Sequence, residues 1–218
     1  FMLKGLRETA DKLGALGIKF SLLIGDVPEN VLSMVQSFNA GLLVSDFDPL
    51  KIKKEWKNKV SKKLKIAFHE VDAHNIVPCW LASDKKEYGA YTIRPKIHRL
   101  LPEYLEDLPS KISRRGDEQD NAFSVKEVLQ EVNVDVSVTA SPMNPGTDAA
   151  SVELNNFIAQ RLSYYDRRND PNERVVSYLS AYLHFGQISA QRVAIEVMSS
   201  NISEQLKEEF LEELIVRR

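Results

Sequence analysis

The chain has 218 residues, of which 43% are hydrophobic and 28% are charged, and its formal net charge is −2. This composition is typical of a globular protein with one large domain or two small ones. The net charge excludes binding of nucleic acid through the electrostatic potential of the whole protein surface. Any such binding would need a local patch of positive charge. No apolar run approaches the ~20 residues that span a bilayer, and the single cysteine, Cys79, excludes an internal disulfide.

The first third of the chain alternates between helical and strand-like patterns. Apolar residues recur at helical spacing in three segments, and short apolar runs of the buried-strand type follow each of them. Strands that alternate with helices of this length favour a parallel sheet with crossover helices. We therefore predict an α/β fold with a doubly wound parallel sheet. The predicted helices are 3–16, 28–38 and 52–64, and the predicted strands are 20–24, 42–44 and 66–71.

The second half has a different character. Residues 106–148 are polar, carry Pro109 and the charged run 114–120, and predict a linker with one short helix at 124–131. From residue 149 the pattern is helical throughout, with serines as predicted N-caps. The predicted helices lie near 149–165, 180–185, 189–199 and 203–218, and the predicted caps are Ser180, Ser189 and Ser203.

The run Lys51 to Lys65 contains eight lysines and one glutamate. One interpretation is a phosphate-binding surface. The other is the solvated face of a helix whose apolar face carries Ile52, Trp56 and Val60. The second is favoured, because lysines without arginines or aromatic residues lack groups that read bases.

His74 follows a predicted strand end, where α/β sheets place ligand crevices. Its alternative role is to hold the loop by a hydrogen bond. No second histidine or cysteine lies at metal-ligand spacing, so no metal site is predicted. The glycine-rich dinucleotide fingerprint, the P-loop and the nucleophile elbow are also absent from the sequence.

The segment from Ser177 to Ser189 reads SYLSAYLHFGQIS and follows Asn169-Asp170-Pro171. Ser177 and Ser180 bracket the predicted start of a helix, where backbone N–H groups lack partners and the helix dipole favours an anion. Two hydroxyls beside those amides suit a pyrophosphate, but they also suit simple helix capping. Residue physics alone favours capping, and both interpretations stay open at this point.

The same segment resembles the flavin-binding signature of the photolyase and cryptochrome superfamily, and residues 177–192 are most similar to class II cyclobutane pyrimidine dimer (CPD) photolyases. Three further stretches resemble that subfamily, namely 71–97 with VDAHNIVP and TIRPKI, 46–56 with DF, PL and Trp56, and 1–6 with FMLKGL. The resemblance implies a Rossmann-like N-terminal domain over 1–105, a linker over 106–148 and the beginning of an all-α FAD-binding domain over 149–218. It also implies that the first strand and helix of the family precede Phe1.

The resemblance implies a DNA repair reaction driven by blue light. Reduced FAD would donate an electron to a pyrimidine dimer flipped out of the duplex. The expected partner is DNA that contains such dimers, the expected state is a monomer without membrane contact, and the expected location is the nucleus or cytoplasm. A deazaflavin or folate antenna chromophore is left open.

The site residues follow from the same resemblance. Tyr164 matches a tyrosine that lies against the flavin nucleotide, with Tyr165 as a competing choice. Arg168 matches an arginine near the DNA backbone, where a guanidinium suits a phosphate. The residues implied to hold the FAD phosphates or to share their loop are Val176, Ser177, Tyr178, Leu179 and Ser180.

Two departures from the family pattern bear on function. Ala181 stands where the family has proline, whose fixed φ favours the first helical turn. The catalytic residues are expected beyond Arg218, so the chain by itself is expected to be inactive. Two alternatives stay open, a cryptochrome-like signalling protein that binds flavin without repair and an α/β binding module without flavin.

Overall fold

A computed structural model describes residues 1–107, 116–135 and 137–217. Contacts divide the chain into two compact units, which we call the sheet unit (Ser21–His74) and the helical unit (Phe1–Phe20 with Asn75–Arg218). The predicted order, an α/β region followed by helices, is confirmed. The elements are α1 (Met2–Ala15), α2 (Val27–Ser37), β1 (Leu42–Asp46), α3 (Lys51–Lys63), β2 (Ala67–Val71), α4 (Cys79–Ala82), α5 (Ala90–Tyr104), α6 (Val125–Glu131), α7 (Thr147–Gln160), a 3-10 helix (Leu162–Arg167), α8 (Ser180–His184), α9 (Ala190–Met198), α10 (Glu204–Leu211) and a π-helical turn (Glu212–Val216).

The sheet unit contains a parallel pair of strands. β1 and β2 pair in register from Leu42 with Ala67 to Asp46 with Val71. Parallel strands cannot be joined by a tight turn, and α3 provides the crossover between them. The parallel sheet predicted from the sequence is therefore confirmed.

The predicted strand at 20–24 does not form. A strand exists through backbone pairing with a neighbour, and within the described parts of the chain the only paired strands are β1 and β2. The ends of the segment bond to side chains instead: the Phe20 backbone N donates to Asn121 Oδ1 at 3.0 Å, and the Ile24 carbonyl accepts from Asn30 Nδ2 at 3.1 Å. The pattern of apolar residues was correct, but the pairing partner that it requires is missing among the described residues.

The helical unit has a closed hydrophobic core. The Phe157 ring packs against Tyr165 and Phe210, with centroids 5.8 and 4.8 Å away. These rings join α7, the 3-10 helix and α10 into one packed body. The largest side chains with less than 2% exposure are Phe157, Leu162, Leu179, Val193 and Val197.

The first helix, α1, caps α7 through a side chain. Glu8 Oε1 accepts hydrogen bonds from the backbone N of Thr147 at 3.0 Å and of Asp148 at 3.3 Å. A carboxylate at this place satisfies orphan N–H groups and complements the helix dipole. Lys12 bonds to Asp148 and Glu8, and these bonds raise the pKa of its ammonium.

The predicted N-caps have different outcomes. Ser189 Oγ accepts from the Arg192 backbone N at 3.1 Å, so this cap is confirmed. Ser203 stands at the N-cap position of α10 without a side-chain cap bond. The Ser180 cap is wrong, because α8 starts at Ser180 itself and Leu179 takes the N-cap position.

The predicted linker is only partly described, since Pro109 and Arg114 lie outside the described residues. Its predicted short helix is confirmed as α6, where Ser124 Oγ accepts from the Glu127 backbone N at 3.3 Å. Asn121 is buried and donates to the backbone of α1 and of the segment after it. The boundaries at 105 and 148 stay predictions. In the described part of the chain, no helix is long and apolar enough to cross a membrane.

Candidate functional site

The loop of residues 175–180 is held to the core at two points. Val175 is 7% exposed and Leu179 is fully buried, whereas Val176 and Tyr178 are 39% and 45% exposed. Two inward anchors therefore fix the backbone and leave the residues between them at the surface. Because Leu179 is inside the core, only its backbone could contact a ligand.

The loop backbone has the geometry of an anion cradle. Tyr178 has a φ of +57°, in the left-handed region, and Leu179 follows with φ −85° and ψ −9°. Consecutive left- and right-handed residues turn their N–H groups toward one side, which makes a concavity for anions. The first N–H groups of α8 come directly after them and lack intrahelical acceptors.

The two predicted serines lie on this loop without being packed into the core. Ser177 is partly exposed and Ser180 is exposed. Ser177 Oγ accepts from the Leu179 backbone N at 3.3 Å, a long bond that holds the turn. The Ser177 hydroxyl and the Leu179 amide are thus in contact, and the role of both serines as phosphate ligands stays a prediction.

Arg161 lies next to the loop, although its sequence context did not predict a role there. Its guanidinium forms an ion pair with Glu153 and lies 5.2 Å from the ring centroid of Tyr178. Arg161 Nε is buried and has no hydrogen-bond partner among the described residues. Buried N–H groups without an acceptor are rare and cost about 1–3 kcal/mol, so this group fits an additional acceptor at the loop. An arginine at the C-terminal end of a helix is common, because its positive charge interacts favourably with the helix dipole. The sequence around Arg161 therefore gave no signal for a ligand-binding role.

The structure separates the two tyrosines that the resemblance left in competition. Tyr164 is 49% exposed, with the guanidinium of Arg167 5.3 Å from its ring centroid. Tyr165 is 8% exposed, and its burial raises the pKa of the phenol. Tyr164 is the accessible one, and its contact with a flavin stays a prediction.

Arg168 is engaged within the chain. Its Nη1 lies 2.6 Å from Glu209 Oε2, its Nη2 lies 3.8 Å from Glu213 Oε1, and its guanidinium carbon is 4.9 Å from the ring centroid of Tyr165. A DNA phosphate would have to compete with two carboxylates for this guanidinium. The predicted DNA contact stays a prediction.

The lysines of α3 include several that pair within the sheet unit. Lys57 pairs with Glu70, and Lys53 pairs with Asp48, where this bond and a backbone N–H lower the pKa of the carboxyl group. Val60 is buried, as the helical pattern predicted, but Ile52 is 52% exposed. The structure therefore places α3 as a partly solvated helix with intramolecular ion pairs.

His74 lies three residues beyond the end of β2, at the sheet edge where the sequence predicted it. Its backbone N donates to Asp72 Oδ1 at 3.2 Å, which closes a local turn. Across the described ranges, no group of three or more His, Cys, Asp and Glu side chains is arranged to hold a metal ion.

Comparison of the sequence with known proteins identifies one family, and comparison with solved structures shows a similar fold. The family described as DNA photolyase matches residues 1–113. A deoxyribodipyrimidine photo-lyase of Potorous tridactylus is 42% identical over the whole chain, which spans 42% of that relative's length. Two solved structures cover 99% of the chain, a class III photolyase of Agrobacterium tumefaciens (46% of it covered, TM-score 0.69, 18% identity) and a Synechocystis cryptochrome (48% covered, TM-score 0.72, 17% identity). The chain belongs to the DNA photolyase family.

Proposed function

We propose that the chain contributes the FAD phosphate loop and part of the DNA-facing surface of a class II photolyase that repairs cyclobutane pyrimidine dimers with light. The resemblance of residues 177–192 to the class II signature supports this assignment. The name of the Potorous relative, a deoxyribodipyrimidine photo-lyase, points the same way. The likeness to the two solved structures concerns the fold and does not choose between repair and signalling.

One observation carries the proposal. At the left-handed Tyr178 and the buried Leu179 the chain turns, and the Leu179 N–H donates to Ser177 Oγ. Ser180 comes next in the chain, and the buried Arg161 Nε lies nearby without an acceptor among the described residues. A pyrophosphate supplies several negatively charged acceptor oxygens at once, and charge-assisted hydrogen bonds to such groups are short and strong. The donor set therefore fits the diphosphate bridge of FAD.

The chain's own residues would hold and orient the cofactor. Reduced FAD, when bound, supplies the photoexcited electron for dimer splitting. Ser177, Ser180 and the adjacent amides would fix the diphosphate, and Tyr164 would lie against the nucleotide. Arg168 would contact a DNA phosphate after its release from Glu209. The reacting centre lies outside this set, so we propose that the chain alone does not repair DNA.

The test uses a chain extended to the length of its relatives and the double variant Ser177→Ala/Ser180→Ala. Hydrogen bonds to charged groups contribute roughly 1.5–3 kcal/mol each, so we expect the affinity for FAD to fall at least about tenfold. Fluorescence titration of FAD measures this effect. The matched control is Ser163→Ala, an exposed serine of the 3-10 helix, which should bind FAD as the unaltered protein does.

Two results would contradict the proposal. If the double variant binds FAD with unaltered affinity, the loop does not hold the phosphates. If the extended protein binds FAD tightly but leaves dimer-containing DNA intact under blue light, the chain belongs to a signalling protein instead.

A further inference from the structure

A groove of about 460 Å³ lies between α4 and α5 in the helical unit. One wall carries Trp80, Leu81 and Asp84, and the opposite wall carries Pro95, Lys96 and Arg99 of α5. We call it the α4–α5 groove. These residues lie outside the loop of residues 175–180. They also differ from the residues that contact Arg168, namely Glu209, Glu213 and Tyr165.

The groove and its surroundings expose large aromatic side chains. Trp80 is 45% exposed, Tyr91 is 76% exposed and Tyr88 is 86% exposed. Tyr91, Pro95 and Arg99 are spaced by four residues on α5, so they share one helical face and extend the groove toward the start of the helix. The Tyr91 ring lies close against the backbone of Gly89, where even a methyl group would collide with it. Exposed apolar surface concentrated in this way marks a binding surface.

A partly buried ionic cluster fixes the loop that forms one end of the groove. Lys96 Nζ donates to Glu87 Oε1 at 2.6 Å and to Ser83 Oγ at 2.9 Å, and Ser83 Oγ donates to Glu87 Oε1 at 2.8 Å. Glu87 is only 9% exposed, and the bond from Lys96 contributes most to lowering its pKa to about 2. Lys96 and Glu87 therefore neutralise each other and act as a support for the loop.

The remaining charges around the groove are mostly positive. Lys85, Lys86 and Arg99 form none of the ion pairs found within the described ranges. Among the residues that line the groove, the carboxylate is that of Asp84. Lys86 Nζ lies 5.2 Å from the ring centroid of Tyr88, so one cation is placed over an exposed aromatic face. One cation thus lies over an exposed ring next to the groove, and Arg99 and Trp80 both line the groove itself.

We propose that the α4–α5 groove binds single-stranded nucleic acid, with bases stacked on Trp80 and Tyr91 and phosphates held by Arg99 and by Lys85 or Lys86. Aromatic platforms beside a basic path are the features that such binding requires, because stacking accepts any base and cations follow the backbone. Binding is therefore tolerant of sequence and strongly dependent on salt. This surface is separate from the predicted dimer-repair contacts and does not need FAD.

The experiment uses tryptophan fluorescence of the chain itself. The chain has two tryptophans, so Trp56→Phe leaves Trp80 as the single reporter. Titration with a twelve-residue oligothymidylate at low salt should quench the Trp80 emission. In this background Tyr91→Ala should weaken binding about fivefold or more, and Arg99→Ala should reduce the salt dependence by about one phosphate contact.

Matched controls come from other exposed positions. Phe38→Ala removes a ring that is 55% exposed in the sheet unit, and Lys126→Ala removes an exposed cation of α6. Neither should change the affinity or the salt dependence. Circular dichroism of each variant, compared with the unaltered chain, shows that folding is retained.

Three results would overturn the proposal. The first is an unquenched Trp80 with a folded chain, and the second is binding that survives Tyr91→Ala and Arg99→Ala. The third is self-association of the chain that Tyr91→Ala abolishes without any binding of the oligonucleotide, because the groove would then be a contact between two copies of this protein.

Discussion

In the helical unit Phe157 and Val193 are fully buried, whereas in the sheet unit Leu42, Val44 and Ile52 remain 48%, 53% and 52% exposed. The energy of burial scales with the apolar area removed from water, at about 25 cal/mol per Å². The helical unit therefore contains most of the hydrophobic stabilisation among the described residues. The loop of residues 175–180 is anchored in this core by Leu179, so the candidate site is built on the better-packed region.

The largest expected loss of unfolding free energy comes from truncating a core side chain in the helical unit. Phe157→Ala removes a ring that packs on Tyr165 and Phe210, and such changes cost about 3–5 kcal/mol of unfolding free energy. Val44→Ala in β1 should cost less than about 1.5 kcal/mol, since half of the side chain is already in water. Urea unfolding monitored by circular dichroism measures both. Equal losses would show that the two regions do not differ in packing as described.

Substituting one glycine in each unit by alanine should give a smaller difference in stability between the two units. Gly146 has a φ of +107°, and a methyl group there would collide with the carboxylate of Glu8. Gly146→Ala should therefore destabilise the chain by about 1–3 kcal/mol. Gly41 has no atom within 4 Å of the equivalent position, so Gly41→Ala should be within about 1 kcal/mol of neutral. Thermal unfolding of the two variants tests the difference, and a reversed order would contradict it.

Acid pH should act on carboxylates in both units, and the comparison of Glu87 with Asp48 concerns the smallest expected effect. The pKa of Glu87 is lowered from 4.5 to about 2 by Lys96, and the pKa of Asp48 is also lowered, chiefly by Lys53. A lowered pKa in the folded state contributes stability that is present above pH 4.5 and is lost as the pH falls toward 2.

We therefore expect Glu87→Gln to reduce the unfolding free energy at pH 7, and the difference from the unaltered chain to decline below pH 4.5 and vanish near pH 2. The matched control is Glu118→Gln, at an exposed carboxylate, which should show no such decline. A difference that stays constant from pH 7 to pH 2 would mean that the cluster of Glu87 and Lys96 does not stabilise the fold.

The sequence predicted most of the helices, whose stability is largely local, and it also predicted β1 and β2. Helical periodicity identified α1, α2, α3, α7 and α9. Ser189 was predicted as an N-cap because the hydroxyl of a serine just before a helix accepts a hydrogen bond from a backbone N–H of the first turn, here that of Arg192. The strand at 20–24 failed because it has no strand to pair with among the described residues, whereas the strands predicted at 42–44 and 66–71 form because they pair with each other. The Ser180 cap failed by one residue, since helix ends are the least determined part of a periodic pattern.

The candidate site was predictable in part. The two serines stood out because hydroxyls at a helix start have a known chemistry for anions. The left-handed backbone at Tyr178 could not be read from the sequence, since tyrosine rarely adopts a positive φ. Arg161 and the ion pairs of Arg168 were also hidden, because they depend on residues brought near by folding.

The most direct test of the phosphate loop is a measurement of its backbone amides. FAD is added to isotope-labelled protein of the relatives' length, and the NMR signals of Leu179, Ser180 and Ala181 are compared with those of Leu43 and Val44 in β1. We expect large shifts for the three loop amides and unaltered signals for the strand. Bound FAD without any change at the loop amides would contradict it.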